Sequence, residues 1–430
     1  MLLTERQASI SHAQADFDSI RSSIASSLAG DETPVRFAVA NSDNARYQCE
    51  LGVIAGEHPH AVSPLFEFRR RTHESQDAFN IVFMVPTGIG AEIGGHSGDA
   101  TPAAILLAHI ADTLITHPNV VNASDINELP SNGMYVEGSV LTRLMMGTLG
   151  LRPARANRVL VALDGSYNER YAKYTVNAVN AARATYGLNC SGIVNVMPPM
   201  KEVGSSSDTG RASGYVEGVS GLLDTLIERR DTYDAVALAS VVEVPPHYHY
   251  DYFISGGEMI NPWGGVEALL THAVSAILNI PTAHAPMMES DDIAAVDPGI
   301  VDSRMAAEII SITFLQSVLK GLQRSPGIVT DEALFDSPKV MTAEDISCLV
   351  IPDGCIGLPV LAALKQDMTV IAVRENRSLM RNDLGLLAWD PGRFYFGENY
   401  GEAAGIAAAL KAGLHPDSVR RPLNTLRSYL

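Results

Sequence analysis

The chain reads as an α/β protein: mainly parallel sheets flanked by helices, Rossmann-like, with an added N-terminal helix-plus-hairpin unit. Three observations predict this. From Phe79 onward, short apolar runs alternate with longer stretches whose apolar residues recur every three or four positions, the pattern of β-α units laying down a parallel sheet. Several of those runs end in glycine-rich turns that lead straight into helical patterns. Hydrophobic residues at 46% against 19% charged, in 430 residues, suffice for a full core and exclude a disordered or fibrous chain.

The elements follow in order. Ile10, Ala13, Phe17, Ile20, Ile24 and Leu28 stand at helical steps and predict an amphipathic helix over residues 10–28. Strands over 35–39 and 47–54 flank Asn41-Ser42-Asp43-Asn44, a turn-forming link suited to a hairpin. The polar stretch around Arg69-Arg70-Arg71 then marks a boundary, its arginines forming either a solvated face or an anion clamp. Further strands are expected at 80–85, 159–163, 192–196, 235–239, 348–351 and 369–373. Helices are expected at 102–115, 169–186, 215–229, 266–278, 304–322, 358–365 and 402–412. Gly204 to Gly214, rich in glycine and serine, reads as a mobile loop or a lid. These elements divide the chain into an N-terminal unit (1–77), an α/β domain with glycine-rich loops (78–290) and a C-terminal α/β part completing the same site (291–430).

Charge and cysteine content narrow the function classes. With 49 acidic and 31 basic residues the net charge is −18, which repels phosphate backbones and anionic lipid surfaces, so neither nucleic acid nor a membrane is an expected partner. The longest apolar segment is interrupted by His109 and Asp112 and falls short of a membrane span, and the N-terminus lacks a signal-peptide pattern. Four scattered cysteines form no disulfide framework, which points to the cytoplasm.

Chemistry is expected where strands end. Val85-Pro86-Thr87-Gly88-Ile89-Gly90-Ala91-Glu92-Ile93-Gly94-Gly95-His96-Ser97-Gly98-Asp99-Ala100-Thr101-Pro102 runs from a strand through glycines to a helix opened by Thr101 and Pro102. Glycines let main-chain N–H groups approach a ligand, and a helix start favours a carboxylate or phosphate. The spacing fits neither a dinucleotide fingerprint nor a P-loop, so no nucleotide or other cofactor is expected. The bland alternative is that the glycines only permit a tight crossing. Gly88, Gly90, Gly94, Gly95, Asp99 and Thr101 are the candidate ligand contacts in this loop.

Beyond it, His117, Asn119, Asn122 and Asp125 crowd one connection, where they either orient a substrate or simply form turns. His117, titrating near neutrality, is a candidate acid or base, and Glu137 stands as a lone carboxylate on an apparent strand. Asn261 lies between two glycine pairs before a helix whose first turn holds Glu267, a residue that also suits a helix dipole. His284 ends a short apolar strand, the place where open α/β sheets take ligands. In Asp353-Gly354-Cys355-Ile356-Gly357-Leu358-Pro359 a helix start should lower the Cys355 thiol pKa, making it a candidate nucleophile, although buried cysteines are common. Glu375 and Asn376 sit at the end of the next strand, Glu375 as an acid, a base or a partner for Arg374. His247 and His249, on one side of an assumed strand, have no visible third ligand, so no metal is expected there.

The residues Val85-Pro86-Thr87-Gly88-Ile89-Gly90-Ala91, Thr116-His117-Pro118-Asn119-Val120, Tyr135-Val136-Glu137-Gly138, Gly265-Val266-Glu267-Ala268, Ala283-His284-Ala285-Pro286 and Ile371-Ala372-Val373-Arg374-Glu375-Asn376 resemble a bacterial family of unknown function, from about Phe79 to the C-terminus. The resemblance implies that these loops belong to one site and names no reaction. The Cys355 loop looks something like that of aspartate/glutamate-type racemases, for which Cys190 is the available second cysteine.

The expectation is an enzyme acting on a small polar, carboxylate-bearing metabolite by hydrolysis, elimination or isomerisation at a C–N or C–O centre, with His117, Cys355 or Glu375 as the reacting groups. Its partner is a small anionic substrate, and the chain is expected to form a homo-oligomer. The rivals are a non-catalytic anion sensor, a metal-dependent hydrolase using His247 and His249, and an assembly scaffold built on the N-terminal unit.

Overall fold

The computed structural model describes residues 1–11, 17–43, 45–166, 168–423 and 425. Two all-parallel sheets and one largely antiparallel sheet make a mixed α/β architecture. The larger parallel sheet has six strands in the order Phe394–Gly397, Thr369–Val373, Ile346–Pro352, Asn80–Phe83, Thr113–Thr116 and Gly133–Tyr135. The smaller orders Cys190–Val196, Val159–Asp164, Ala235–Ser240 and Thr282–Pro286. Their central strands are buried on both faces, which is why they read as continuous apolar runs.

The third sheet has seven strands: Val242–Glu243, Lys201–Ser206, Ala212–Glu217, Leu2–Ser11, Arg46–Ala55, Glu32–Ser42 and Ile356–Gly357. All neighbours in it are antiparallel except the first two. The hairpin expected near the N-terminus is thus present, but its strands lie inside a sheet that also draws on residues from the middle and end of the chain. The expected amphipathic helix forms only over Phe17–Ala25, burying Phe17, Ile20 and Ile24, while Leu2–Ser11 is a strand. The expected helix positions from Ala13 to Asp16, and Asn44 of the hairpin turn, lie outside the described residues.

Several expected elements differ for identifiable reasons. The apolar stretch expected as one helix over 102–115 splits into helix Thr101–Ala108 and strand Thr113–Thr116. Asp112 makes the break by accepting the Phe79 N–H at 2.7 Å at the start of the neighbouring strand. Residues 215–229 likewise divide into strand Ala212–Glu217 and helix Val219–Glu228, with Gly218 at φ 81° between them. The stretch 304–322 divides into Ala306–Ile310 and Leu315–Leu322. The expected loop or lid from Gly204 to Gly214 is a paired β-hairpin, stabilised by ladder hydrogen bonds rather than by large side chains. Arg71 is buried, its guanidinium donating to the Gln366, Ile346 and Asp367 carbonyls, so it ties the connecting segment to the larger parallel sheet instead of facing water.

Helix Gly264–Leu278 packs against the seven-stranded sheet and the last strand of the smaller parallel sheet. Close approach requires glycine here. A Cβ on Gly265 would stand 2.4 Å from the Ala212 carbonyl carbon, and one on Gly52 would stand 2.6 Å from Leu269 Cδ1. Among the described residues no helix is long and apolar enough to cross a membrane.

Candidate functional site

A cavity of about 660 Å³ opens where the two parallel sheets and the seven-stranded sheet meet. Helices Gly138–Met145, Gly264–Leu278 and Leu358–Lys365 are among those that begin on its wall. The positive ends of their helix dipoles therefore lie at the cavity wall.

His117 follows strand Thr113–Thr116 and lines the cavity while only 5% exposed. The Val85 N–H donates to its Nε2 at 3.1 Å. A neutral ring accepting at Nε2 carries its proton on Nδ1. Burial drives the ring pKa down to about 4, against the pull of Glu137. His117 is therefore a neutral hydrogen-bond donor across the physiological range.

Beside it Glu137 caps helix Gly138–Met145, its Oε2 accepting from Ser139 N at 2.9 Å, Val140 N at 3.2 Å and the Ser139 hydroxyl. This is the residue that the sequence placed on a strand; the strand ends at Tyr135 and Glu137 is the helix cap. Its Oε1 lies 2.9 Å from His272 Nδ1. Burial alone would raise the Glu137 carboxyl, yet the nearby His272 charge and the donors at Ser139 bring it down to about 2. With Nδ1 turned to a carboxylate, His272 keeps Nε2 for the cavity that its ring lines.

A second polar cluster stands at the carboxyl ends of the smaller parallel sheet. Ser240 Oγ lies 2.6 Å from His284 Nε2, and Glu202 Oε2 lies 3.7 Å from the same nitrogen. His284 Nδ1 lies 3.8 Å from Glu267 Oε1 on helix Gly264–Leu278. Both Glu202 oxygens are buried without a hydrogen-bond partner. Burial pushes the Glu202 carboxyl up to about 7. Burial would lower His284, but Glu267, Glu202 and Asp164 together raise it.

The cavity wall brings together nine of the positions expected from the sequence: His117, Cys355, Gly88, Gly95, Asn119, Asn122, Asn261, Glu267 and His284. Asn119 donates to the Val85 and Gly94 carbonyls, Asn122 to the Tyr135 hydroxyl, and Asn261 accepts from Trp263 N and Gly264 N. The other positions lie outside the wall. Gly90 packs near Ile260 and Gly94 against Val85, both at positive φ. Asp99 accepts the Gly94 N–H at 2.6 Å, and burial pushes its carboxyl up to about 6. Thr101 donates to the Val120 carbonyl, and Asp125 accepts from the Thr313 hydroxyl and Gln316 N. Asn376 is fully buried between Ile93 and the Tyr400 hydroxyl, while Glu375 is exposed.

Two expected properties are corrected. The Cys355 thiol is pushed up to about 12, because burial outweighs the helix start that was expected to lower it. His247 and His249 do not share a strand face: His247 precedes helix Tyr248–Ile254, and His249 within it lies 3.7 Å from Glu289. Residues two apart on a helix point about 200° apart. Among the described residues no group of three or more His, Cys, Asp and Glu is arranged to hold a metal ion. Cys190 begins the edge strand Cys190–Val196 and lies outside the cavity wall.

Sequence reasoning missed His272, Ser240, Glu202, Arg36 and Arg211. His272 shares a helix with Glu267 but stands five residues on, about 140° round the helix, so the Glu267 signal did not lead to it. Ser240 carries only the signal of ending a strand.

Residues 80–420 match DUF3326, a family described as protein of unknown function. The chain belongs to DUF3326. A Synechococcus protein named as an uncharacterized lipoprotein is 32% identical over 358 residues, covering 81% of this chain and 95% of the relative. No solved structure matches. The cytoplasmic location expected from cysteine content does not stand: the relative's name as a lipoprotein contradicts it, and sparse cysteines exclude only a disulfide scaffold.

Proposed function

We propose that this DUF3326 member is an enzyme that moves a proton on a small polar metabolite held in the cavity, in a reaction of the elimination, isomerisation or hydrolysis class. The observation that supports it most is the pairing of two imidazoles, His117 and His272, beside the Glu137 carboxylate. Glu137 orients His272, whose Nε2 serves as general base. His117, kept neutral by burial, donates from Nδ1 to the substrate oxygen on which negative charge develops. The positive ends of helices Gly138–Met145, Gly264–Leu278 and Leu358–Lys365 favour that negative charge. Placement of the ligand at the carboxyl ends of the parallel strands is the arrangement of Rossmann-like sheets, and that topology belongs to the same proposal.

Incubating the protein with a pool of small polar metabolites in deuterated water, read by untargeted mass spectrometry, tests this. The expected result is consumption of, or deuterium entry into, at least one compound, abolished in His272→Asn with the fold intact by circular dichroism. A pool left unchanged, or changed equally by the variant, overturns the reading.

A further inference from the structure

The seven-stranded sheet turns one face toward the cavity. Arg36 and Ala38 share that face; Arg36 pairs across with Gly52, which pairs with Glu5, and Ala38 lies between Glu50 and Gly357. The tip of the Lys201–Ser206 and Ala212–Glu217 hairpin closes onto it, with the Ser207 and Thr209 hydroxyls donating to Glu50 Oε1 at 3.0 and 2.6 Å. From that tip Arg211 reaches Glu50 Oε2 through Nη1. Arg211 is 1% exposed and lines the cavity, yet its Nε and Nη2 have no hydrogen-bond partner.

Those two nitrogens form the side edge of the guanidinium, where two parallel N–H bonds match the two oxygens of a carboxylate. Leaving such an edge both dry and empty is costly, so a buried one implies an acceptor that arrives with a ligand. Both oxygens of Glu50 are engaged, and Glu5 Oε1 takes Arg36 Nη1 at 2.9 Å, leaving Glu5 Oε2 as the rival acceptor among these side chains. Arg36, Cys355, Gly357 and Leu358 complete the same wall. Gly357 supplies no side-chain cap to helix Leu358–Lys365, whose first turn contains Pro359 and whose positive dipole end favours an anion.

We infer that Arg211, with the start of helix Leu358–Lys365, forms a carboxylate-binding subsite, so that the substrate class is a small carboxylic acid. This rests on the enzymatic reading above and specifies where the substrate anion sits. It also moves anion recognition from the glycine loop after Phe83 to a side chain that the sequence did not single out.

Isothermal titration with succinate, its uncharged diamide succinamide and inorganic phosphate tests the subsite at pH 7. Succinate is expected to bind, succinamide to fail, and Arg211→Lys, which keeps the charge but loses the fork, to weaken succinate about tenfold. Should that variant fail to fold, the arginine Nε resonances of the wild-type protein serve instead, with one buried signal expected to shift on adding succinate. No succinate binding, tighter phosphate binding, an undiminished Arg211→Lys affinity or unmoved Nε signals each overturn the assignment. His272→Asn must still bind succinate; if it binds but no metabolite turns over in wild type, the catalytic reading fails and the subsite stands.

Discussion

Two buried histidines at the ends of parallel strands, His117 and His284, are nearly equally shielded from water and are driven in opposite directions. His117 accepts a main-chain N–H, and burial prevails, taking it down to about 4. His284 lies among Glu202, Glu267 and Asp164, and their combined charge overcomes the same burial and raises it. Burial therefore does not set the charge of an imidazole; the count of facing carboxylates does. On the cavity wall, His117 is thus held neutral while His284 favours its charged form.

The largest effect expected on this contrast comes from Glu137, which holds the His117 end together. Glu137→Ala strands two helix N–H groups and removes the carboxylate facing His272, and should cost ~3 kcal/mol in urea unfolding at pH 7. A loss under 1 kcal/mol would show that the pair is not coupled to the fold.

Next is acid. His117 has a folded pKa below its unfolded one, so its contribution is present above about pH 6.5 and is lost as pH falls toward 4, an effect of ~3 kcal/mol. Glu137 adds a loss in the same direction between about pH 4.5 and 2. His117→Phe should start less stable at pH 7, because the Val85 N–H loses its acceptor, and then show a shallower decline from pH 6.5 to 4. An unchanged slope would place the acid sensitivity elsewhere.

The His284 end should behave in the reverse sense. Glu202 is raised, so its contribution is fully present below about pH 4.5 and is lost as pH rises through about 7. Glu202→Gln mimics the neutral carboxyl and should flatten a decline on the order of 2 kcal/mol between pH 5 and 8. A variant curve parallel to wild type would mean that Glu202 is charged in the fold. The smallest effect is expected for His272→Asn, whose ring is partly open to the cavity: ~1 kcal/mol of stability by thermal unfolding, set against complete loss of turnover.

Much of the scaffold was legible from residues alone, and the reason is burial on both faces. Strands such as Thr369–Val373 and the helix Leu358–Lys365 repeat their pattern without interruption. The Gly204 to Gly214 hairpin was not legible, since its ladder is made by main chain beneath glycine and serine, which carry no alternating apolar signal. His247 and His249 misled because alternating aromatic and histidine residues fit a strand as well as the short helix they form.

For the site, His117, Asn119, Glu267 and His284 stood out as polar side chains at the ends of apolar runs. Ser240 with His284, Glu137 with His272 and Glu50 with Arg211 did not, because each pair joins residues separated by a long stretch of chain. Cys355 was seen, but its thiol was misjudged: the helix start is visible in sequence, whereas the depth of its burial is not.

The order in which the cavity floor is strung along the chain has a kinetic consequence. Leu2–Ser11 leaves the ribosome long before Ile356–Gly357, which pairs with Val39 and Ala38. Contacts of such long sequence separation close slowly, so the ligand hollow matures only after Gly357 has left the ribosome. Until then the early antiparallel strands have a bare edge, and nascent chains stalled before Gly357 should be the species that chaperones and proteases meet.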